Sequence, residues 1–238
     1  IKKISIFIGG KMNFSNLKIL VIVAHQDDET IGCGGSLKKW SSLGADIEVC
    51  YMTDGATGVK QGTDGSNMFS KRMLEANEAC KLLGVNRIST LSIPCQQISN
   101  KKINFHKVIC KIREAKPDLI ITHSDLCKHR DHKRTHDLVK EAAWKSSEDI
   151  LQELGPIHTT SYVWCCEILD PLDRVDFCVD ITNTYEQKLL AMNCYSTQLG
   201  ILNNIISYLD GITRVRGYAI TVDRAEAFKA IGNKPIKL

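Results

Sequence analysis

The chain has 238 residues, 43% hydrophobic and 24% charged, proportions that suit an ordinary globular fold with a sizeable core and exclude a disordered chain. Its 31 Lys and Arg against 27 Asp and Glu leave a formal charge of +4 that is not gathered into basic runs, so no nucleic-acid partner is implied. No apolar stretch reaches the ~18 residues of a membrane span, and the ten cysteines, without any Cys-x-x-Cys pair, read as buried thiols of a reducing, cytoplasmic compartment.

In chain order, residues 1–16 read as a peripheral extension. Their apolar patch, ISIFIGG, is too short for a signal sequence, and Met12 is the expected natural start, with residues 1–11 an extension. Residues 17–24 (LKILVIVA) form a buried-strand pattern, 31–43 a helix closed by Gly44, and 46–52 (DIEVCYM) a second strand. A Gly-rich loop, 54–67, leads to a helix at 68–83 that Gly84 ends; a strand follows at 87–93, a helix at 105–116 before Pro117, and a strand at 118–122 (DLIIT). Strands alternating with helices predict a single α/β domain over 1–238, a Rossmann-like three-layer sandwich whose mostly parallel central sheet is flanked by helices. The second half is less regular: helix at 131–144, short strands at 160–166 and 174–179, helix at 183–195.

In an open α/β sheet the ligand site lies beyond the carboxyl ends of the strands, where the strand order reverses. Two polar clusters stand at such ends: Ala24-His25-Gln26-Asp27-Asp28-Glu29-Thr30 after the first strand, and the segment from His123 to His132 (HSDLCKHRDH) after the fourth. Together they hold four of the seven histidines. His25 and Asp28, three apart on a tight turn, can aim at one point, and one histidine of HRDH completes a His₂Asp set. Three protein ligands with an open position are the arrangement of catalytic zinc. Asp27 is then free to act as general base on a water, and a second histidine can stabilise an oxyanion.

Blander readings compete. Asp28 or Thr30 can cap a helix starting at Ile31, and His136, four after His132, reads as solvated on its helix. Gly32-Cys33-Gly34-Gly35 fails the dinucleotide fingerprint at Leu37, and its glycines read as close packing of helix on sheet. No Gly-x-Ser-x-Gly elbow supports a nucleophilic hydrolase. A non-haem iron enzyme with a two-His-one-carboxylate site, and a metal-free Rossmann-type nucleotide-binding domain, are the alternatives from other classes.

AHQDDE resembles the Ala-His-Pro-Asp-Asp-Glu signature of the LmbE-like, or PIG-L, superfamily of zinc-dependent N-deacetylases, and HRDH resembles its second metal motif. YMTDGATG (51–58), Arg72 to Glu75 with Leu83-Gly84, Tyr195 to Gln198 and Ala225 to Phe228 are similar to further patterns of that family. The resemblance implies Zn²⁺, or another divalent metal such as Fe²⁺, on His25, Asp28 and His132. It implies Asp27 as general base, His129 as the oxyanion or leaving-amine partner, Asp131 as the residue orienting a histidine, and Arg72 as a substrate contact. It further implies hydrolysis of an N-acetylglucosamine-type sugar or glycoconjugate to acetate and a free amino sugar, by an enzyme that can form a homo-oligomer. Two departures stand out: Gln26 replaces the usual proline, and Cys95 stands where many members carry an aspartate toward the sugar hydroxyls. Cys127, two before His129, takes a place that some relatives give to a polar aromatic.

Overall fold

The computed structural model describes residues 7–8, 11–62 and 64–232. Residues 1–6 and 9–10, and with them much of the expected extension, lie outside the described residues. Two short strands, β1 (Phe7–Ile8) and β2 (Lys11–Met12), pair antiparallel. After them the main fold alternates: β3 (Lys18–Val23), α1 (Asp28–Ser42), β4 (Asp46–Thr53), α2 (Met68–Leu83), β5 (Arg87–Ile93), α3 (Lys102–Ala115), β6 (Leu119–His123), α4 (Arg130–Lys145) and β7 (Tyr162–Cys166). The chain then runs through β8 (Phe177–Asp180), α5 (Tyr185–Asn193), α6 (Ser196–Leu199), α7 (Ile205–Ala219) and β9 (Ala225–Ala230).

The main sheet has seven strands in the order β5-β4-β3-β6-β7-β9-β8. The first five run parallel, and β9 lies antiparallel between β7 and β8. This is the expected Rossmann-like sheet. Its order reverses between β3 and β6, which pair from Ile19 opposite Leu119 to Val21 opposite Ile121. The two polar clusters therefore meet beyond one edge of the sheet, as the rule for open α/β sheets requires.

Strand periodicity builds the two faces. Ile19, Val21 and Val23 of β3 enter one core with Leu37 and Trp40 of α1 and Ala76 and Ala79 of α2; Leu20, Ile22 and Ala24 enter the other with Val108 and Ile109 of α3 and Leu138 and Val139 of α4. A strand buried on both sides needs an unbroken apolar run, and LKILVIVA is one. The helix glycines permit close packing: a Cβ on Gly32 would stand 2.6 Å from Cys166 Sγ, and one on Gly35 2.8 Å from Ile181 Cδ1. Those glycines are sealed under side chains, so they form no cradle for a pyrophosphate. The alternating α/β sheet likewise is not the β-barrel that usually carries a two-His-one-carboxylate iron site.

Three elements differ from the sequence expectation. Helix α1 starts at Asp28 rather than Ile31, with Asp27 at its N-cap position and no side-chain cap. Neither α7 nor strand β9 follows from the sequence pattern. Gly211 and Gly217 weaken the helical signal of α7, yet Gly217 is where the chain folds back: its Cβ would meet Val222 O at 2.6 Å.

Candidate active site

Beyond the ends of β3 and β6, the chain turns sharply and buries a run of carboxylates. Asp27, Asp28 and Glu29 are all buried. Asp27 adopts φ +131° and ψ −27°, a conformation costing a non-glycine residue on the order of 1–3 kcal/mol. The surroundings hold it there: Thr30 N and Ile31 N donate to Asp27 O at 3.0 and 2.9 Å, and Asp27 N donates to Glu29 Oε2 at 3.3 Å. The Glu29 carboxylate is fixed in turn by hydroxyls of Thr30 and Tyr195. The strain aims Asp27 away from Asp28, so that two adjacent acids face different partners.

Asp28 turns back toward the strand end. Its Oδ2 accepts the His25 backbone N–H at 2.7 Å, and its Oδ1 lies 3.2 Å from His132 Nε2. His25 Nδ1 stands 3.4 Å from Asp28 Oδ2 and 3.3 Å from His132 Nε2. Four ligands at the ~2.0–2.1 Å bond lengths of zinc sit about 3.3–3.4 Å apart along the edges of a tetrahedron. The three spacings fall near that edge, with Asp28 turning Oδ2 to His25 and Oδ1 to His132, so the set expected from sequence can converge on a divalent cation.

The outer ring nitrogens support the same orientation. His25 Nε2 lies 3.1 Å from Asp131 Oδ2, which also accepts the Gln96 N–H at 2.8 Å. His132 Nδ1 lies 3.0 Å from Cys127 Sγ. With these outward nitrogens as donors, Nδ1 of His25 and Nε2 of His132 point lone pairs at Asp28. Burial pushes both imidazoles down, but Asp131 and Asp28 hold His25 well above the ordinary histidine range, and Asp28 raises His132 to about 9. Against its burial, Asp28 is drawn well below the usual carboxylate range, chiefly by His132. Two protons beside one carboxylate are what a dication displaces.

Among the described residues, donor atoms of His25, His129 and His132, and likewise of Asp28, His123 and His132, lie within 4.8 Å of one another. His123 has other work. Its Nε2 accepts the Ala24 N–H at 2.7 Å, so the lone pair is spent and its 3.4 Å approach to Asp28 is no ion pair. Burial and the neighbouring His132 hold it well below the usual range, hence neutral. Its ring stacks on His132 at 4.0 Å. No role for His123 follows from its sequence, although it is one of the four clustered histidines.

His129 stands at the N-cap of α4, where its Nδ1 accepts the Asp131 N–H at 3.1 Å. Half burial and the charges of His25 and His132 hold it below the histidine range, so it is neutral with the proton on Nε2. It lines a cavity of about 290 Å³ with His25, Asp27, Asp28, Arg72 and Cys95. Arg72 is buried, and its guanidinium donates to Gln26 O, to Gly55 O at 3.4 Å and to Asp27 Oδ1 at 3.4 Å. Burial, opposed by Arg72 and reinforced by Asp28, raises Asp27 to about 7. Thr57, Gln96 and Gln198 add polar groups to the cavity wall, and Ile31, Leu169, Ile201 and Leu202 an apolar side.

A model of the family described as PIG-L, GlcNAc-PI de-N-acetylase, matches residues 20–143, which include every site residue expected from the sequence. The chain belongs to this PIG-L family. The chain is 26% identical over 191 residues to the diacetylchitobiose deacetylase of Thermococcus kodakarensis, covering 76% of this chain and 70% of the relative. It is 27% identical over 232 residues to the 1D-myo-inositol 2-acetamido-2-deoxy-alpha-D-glucopyranoside deacetylase of Corynebacterium glutamicum, covering 83% and 80%. The solved structure of N,N'-diacetylchitobiose deacetylase from Pyrococcus horikoshii superposes with a TM-score of 0.80 at 25% identity, over 92% of this chain and 85% of that one. The PIG-L match ends before Tyr195 and Gln198, which the C-terminal part of the chain brings back against Glu29 and the cavity.

His136 corrects the sequence reading. It is not solvated: it is buried, with Nδ1 2.9 Å from His123 O and 3.5 Å from Cys165 Sγ. It supports the end of β6 instead. The Cys95 thiol is also buried and lies 3.4 Å from Thr53 Oγ1. Burial pushes that thiol up, but hydrogen bonds with His25 and Thr53 bring it below the ordinary cysteine range. Among the described residues no helix is long and apolar enough to cross a membrane.

Proposed function

We propose that the chain is a zinc-dependent N-deacetylase, hydrolysing the acetamide of an N-acetylglucosamine-type sugar or glycoconjugate to acetate and a free amino sugar. The observation that carries this is the mutual 3.2–3.4 Å spacing of His25 Nδ1, Asp28 and His132 Nε2, with Asp27 free beside them. His25, Asp28 and His132 would hold Zn²⁺, which when bound polarises the amide carbonyl and lowers the pKa of the attacking water. Fe²⁺ would suit the same nitrogen and oxygen donors.

Asp27 takes the proton as a water oxygen adds to the carbonyl carbon. At about 7 it is matched to that task near neutrality, since a base works best with a pKa close to the operating pH. Arg72 holds the Asp27 carboxylate and the Gln26 carbonyl, so its work is to aim the base as much as to meet substrate. His129, neutral with Nε2–H, donates to the oxyanion; that interaction strengthens as charge develops. The C–N bond then breaks with its electron pair on nitrogen, and the proton held by Asp27 passes to the amine. The names of the two deacetylase relatives, which act on a chitobiose and on an inositol glycoside, support an N-acetylglucosamine group with variable attachment. A cytoplasmic enzyme with free thiols fits the same picture.

The test is acetate release from a panel of N-acetylated amino sugars, with and without a chelator, together with metal analysis. About one zinc per chain and chelator-sensitive acetate release are expected. Acetate release that persists in chelator-stripped protein without metal would overturn the proposal.

A further inference from the structure

The outer nitrogen of a metal-bound histidine is normally fixed by a carboxylate, a backbone carbonyl or water, which sets the tautomer and the ring's direction. His25 has such a partner in Asp131, at 3.1 Å. His132 does not. Its Nδ1 faces a cysteine, with Cys127 Sγ 3.0 Å away and buried. The thiol has a second neighbour. Asp170 accepts the Lys128 backbone N–H at 2.6 Å and stands 3.4 Å from Lys128 Nζ; against its burial its carboxyl is held below the usual range by Lys128 and, to a smaller extent, by the Cys127 thiol. Rings close the remaining sides of His132: His123 stacks at 4.0 Å and His129 lies at 4.6 Å.

We infer that Cys127 is the positioning residue of His132: its S–H donates to Asp170 while its sulfur accepts the Nδ1–H of His132, leaving the Nε2 lone pair aimed at Asp28. A carboxylate thus orients this histidine at one remove, through a thiol. Cysteine can serve because it offers one donor and one acceptor on a single atom, the two valences that the gap between Asp170 and His132 requires. Cys127 itself does not line the cavity. The inference rests on His132 being a metal ligand, as proposed above.

The test compares Cys127→Ala, Cys127→Val and Cys127→Ser with the parent enzyme. The readouts are Zn²⁺ affinity by competition with a chelating dye, the visible spectrum of the Co²⁺-loaded protein, and kcat and KM. Losing such a partner typically costs about 10–100-fold in metal affinity. Cys127→Ala and Cys127→Val should both show that loss and an altered Co²⁺ spectrum, with KM unchanged. Val fills the space with no hydrogen-bonding group, so it stands in if the Ala variant does not fold. Serine, which keeps one donor and one acceptor, should restore affinity to within about tenfold of the parent. Parent-like affinity in Ala or Val overturns the inference and leaves the metal site standing. Serine as weak as valine overturns it too, because packing rather than hydrogen bonding would then be at work. If the parent binds no metal, the proposed function falls and the inference with it.

Discussion

Asp27→Asn should separate stability from activity. The substitution keeps the side chain's size, removes its charge and leaves His25, Asp28 and His132 intact. Asp27 is buried next to two other carboxylates, Asp28 and Glu29, and its carboxyl is raised from 3.8 to about 7. At 1.36 kcal/mol per pH unit, ionising it inside the metal-free fold costs about 4 kcal/mol more than in the unfolded chain. The sign follows from linkage. Below pH 3.8 the group is protonated in both states and there is no penalty. Between 3.8 and about 7 the unfolded chain ionises first, so stability falls as pH rises, and above about 7 the penalty is complete.

Asparagine never incurs that penalty. In chelator the variant should match the parent near pH 4 and exceed it by up to about 4 kcal/mol near pH 8.5, read by urea unfolding at each pH. With zinc restored, turnover should fall by about 10²–10⁴, the usual contribution of a general base, while metal content stays at the parent level. Two results would refute the reasoning. A variant no more stable than the parent at pH 8.5 removes the buried-charge argument; turnover above about a tenth of the parent's, with metal retained, removes Asp27 as the base.

The pH profile follows from the same group: log kcat/KM should fall with unit slope below a pKa at or under about 7, a bound dication pulling it downward, and a profile flat to about pH 4 would contradict this. The glycines of α1 should behave oppositely. Gly32→Ala puts a Cβ 2.6 Å from Cys166 Sγ and 3.2 Å from Glu167 O and should cost about 1–3 kcal/mol, whereas Gly34→Ala meets nothing closer than 3.4 Å and should gain up to about 1 kcal/mol. Denaturant midpoints of the pair decide it, and equal effects would refute it. Gln26→Met should be neutral or stabilising by up to about 2 kcal/mol: Gln26 Oε1 is buried with no partner among the described residues, and Thr53 O keeps the Thr90 hydroxyl at 3.2 Å when the amide is lost. A loss above about 1 kcal/mol on urea unfolding would contradict that.

The first half of the fold is legible in the sequence because local and global signals agree there. The apolar run of β3 can only be a strand buried on both faces, and Gly84 ends α2 at φ +76°, a left-handed cap that glycine takes without strain. In the second half they disagree. Gly217 weakens the helical signal of α7 where Val222 and Asp223 approach it closely, and β9 is a strand because β7 and β8 accept it on both sides, a partnership with no local trace. His136 shows a related failure. Polar residues on a helix are assigned to the solvent side, yet the inward face of α4 carries Asp131, His132, Thr135 and His136. A polar face turns inward when it has a polar neighbour, and that neighbour is the end of β6.

The candidate site follows the same division. Identity and spacing bring His25, Asp28 and one histidine of HRDH forward, and the family resemblance is what makes that histidine His132. The support behind them is invisible in one dimension. Glu29 is neither metal donor nor base; it holds the Asp27 N–H, and Tyr195, 166 positions away, holds Glu29. Gln26, the departure from the signature, fills the space under Gly55, where a Cβ would stand 2.2 Å from its Oε1. Gly55 lies in the loop that also gives its carbonyl to Arg72. The long amide at position 26 is thus accommodated by a glycine 29 positions on, whose φ of +67° lies in the left-handed region that glycine takes without strain. The two motifs name the chemistry, but the packing that turns Asp27 away from its two acidic neighbours is completed by residues far along the chain, Arg72 on its carboxylate and Tyr195 on Glu29.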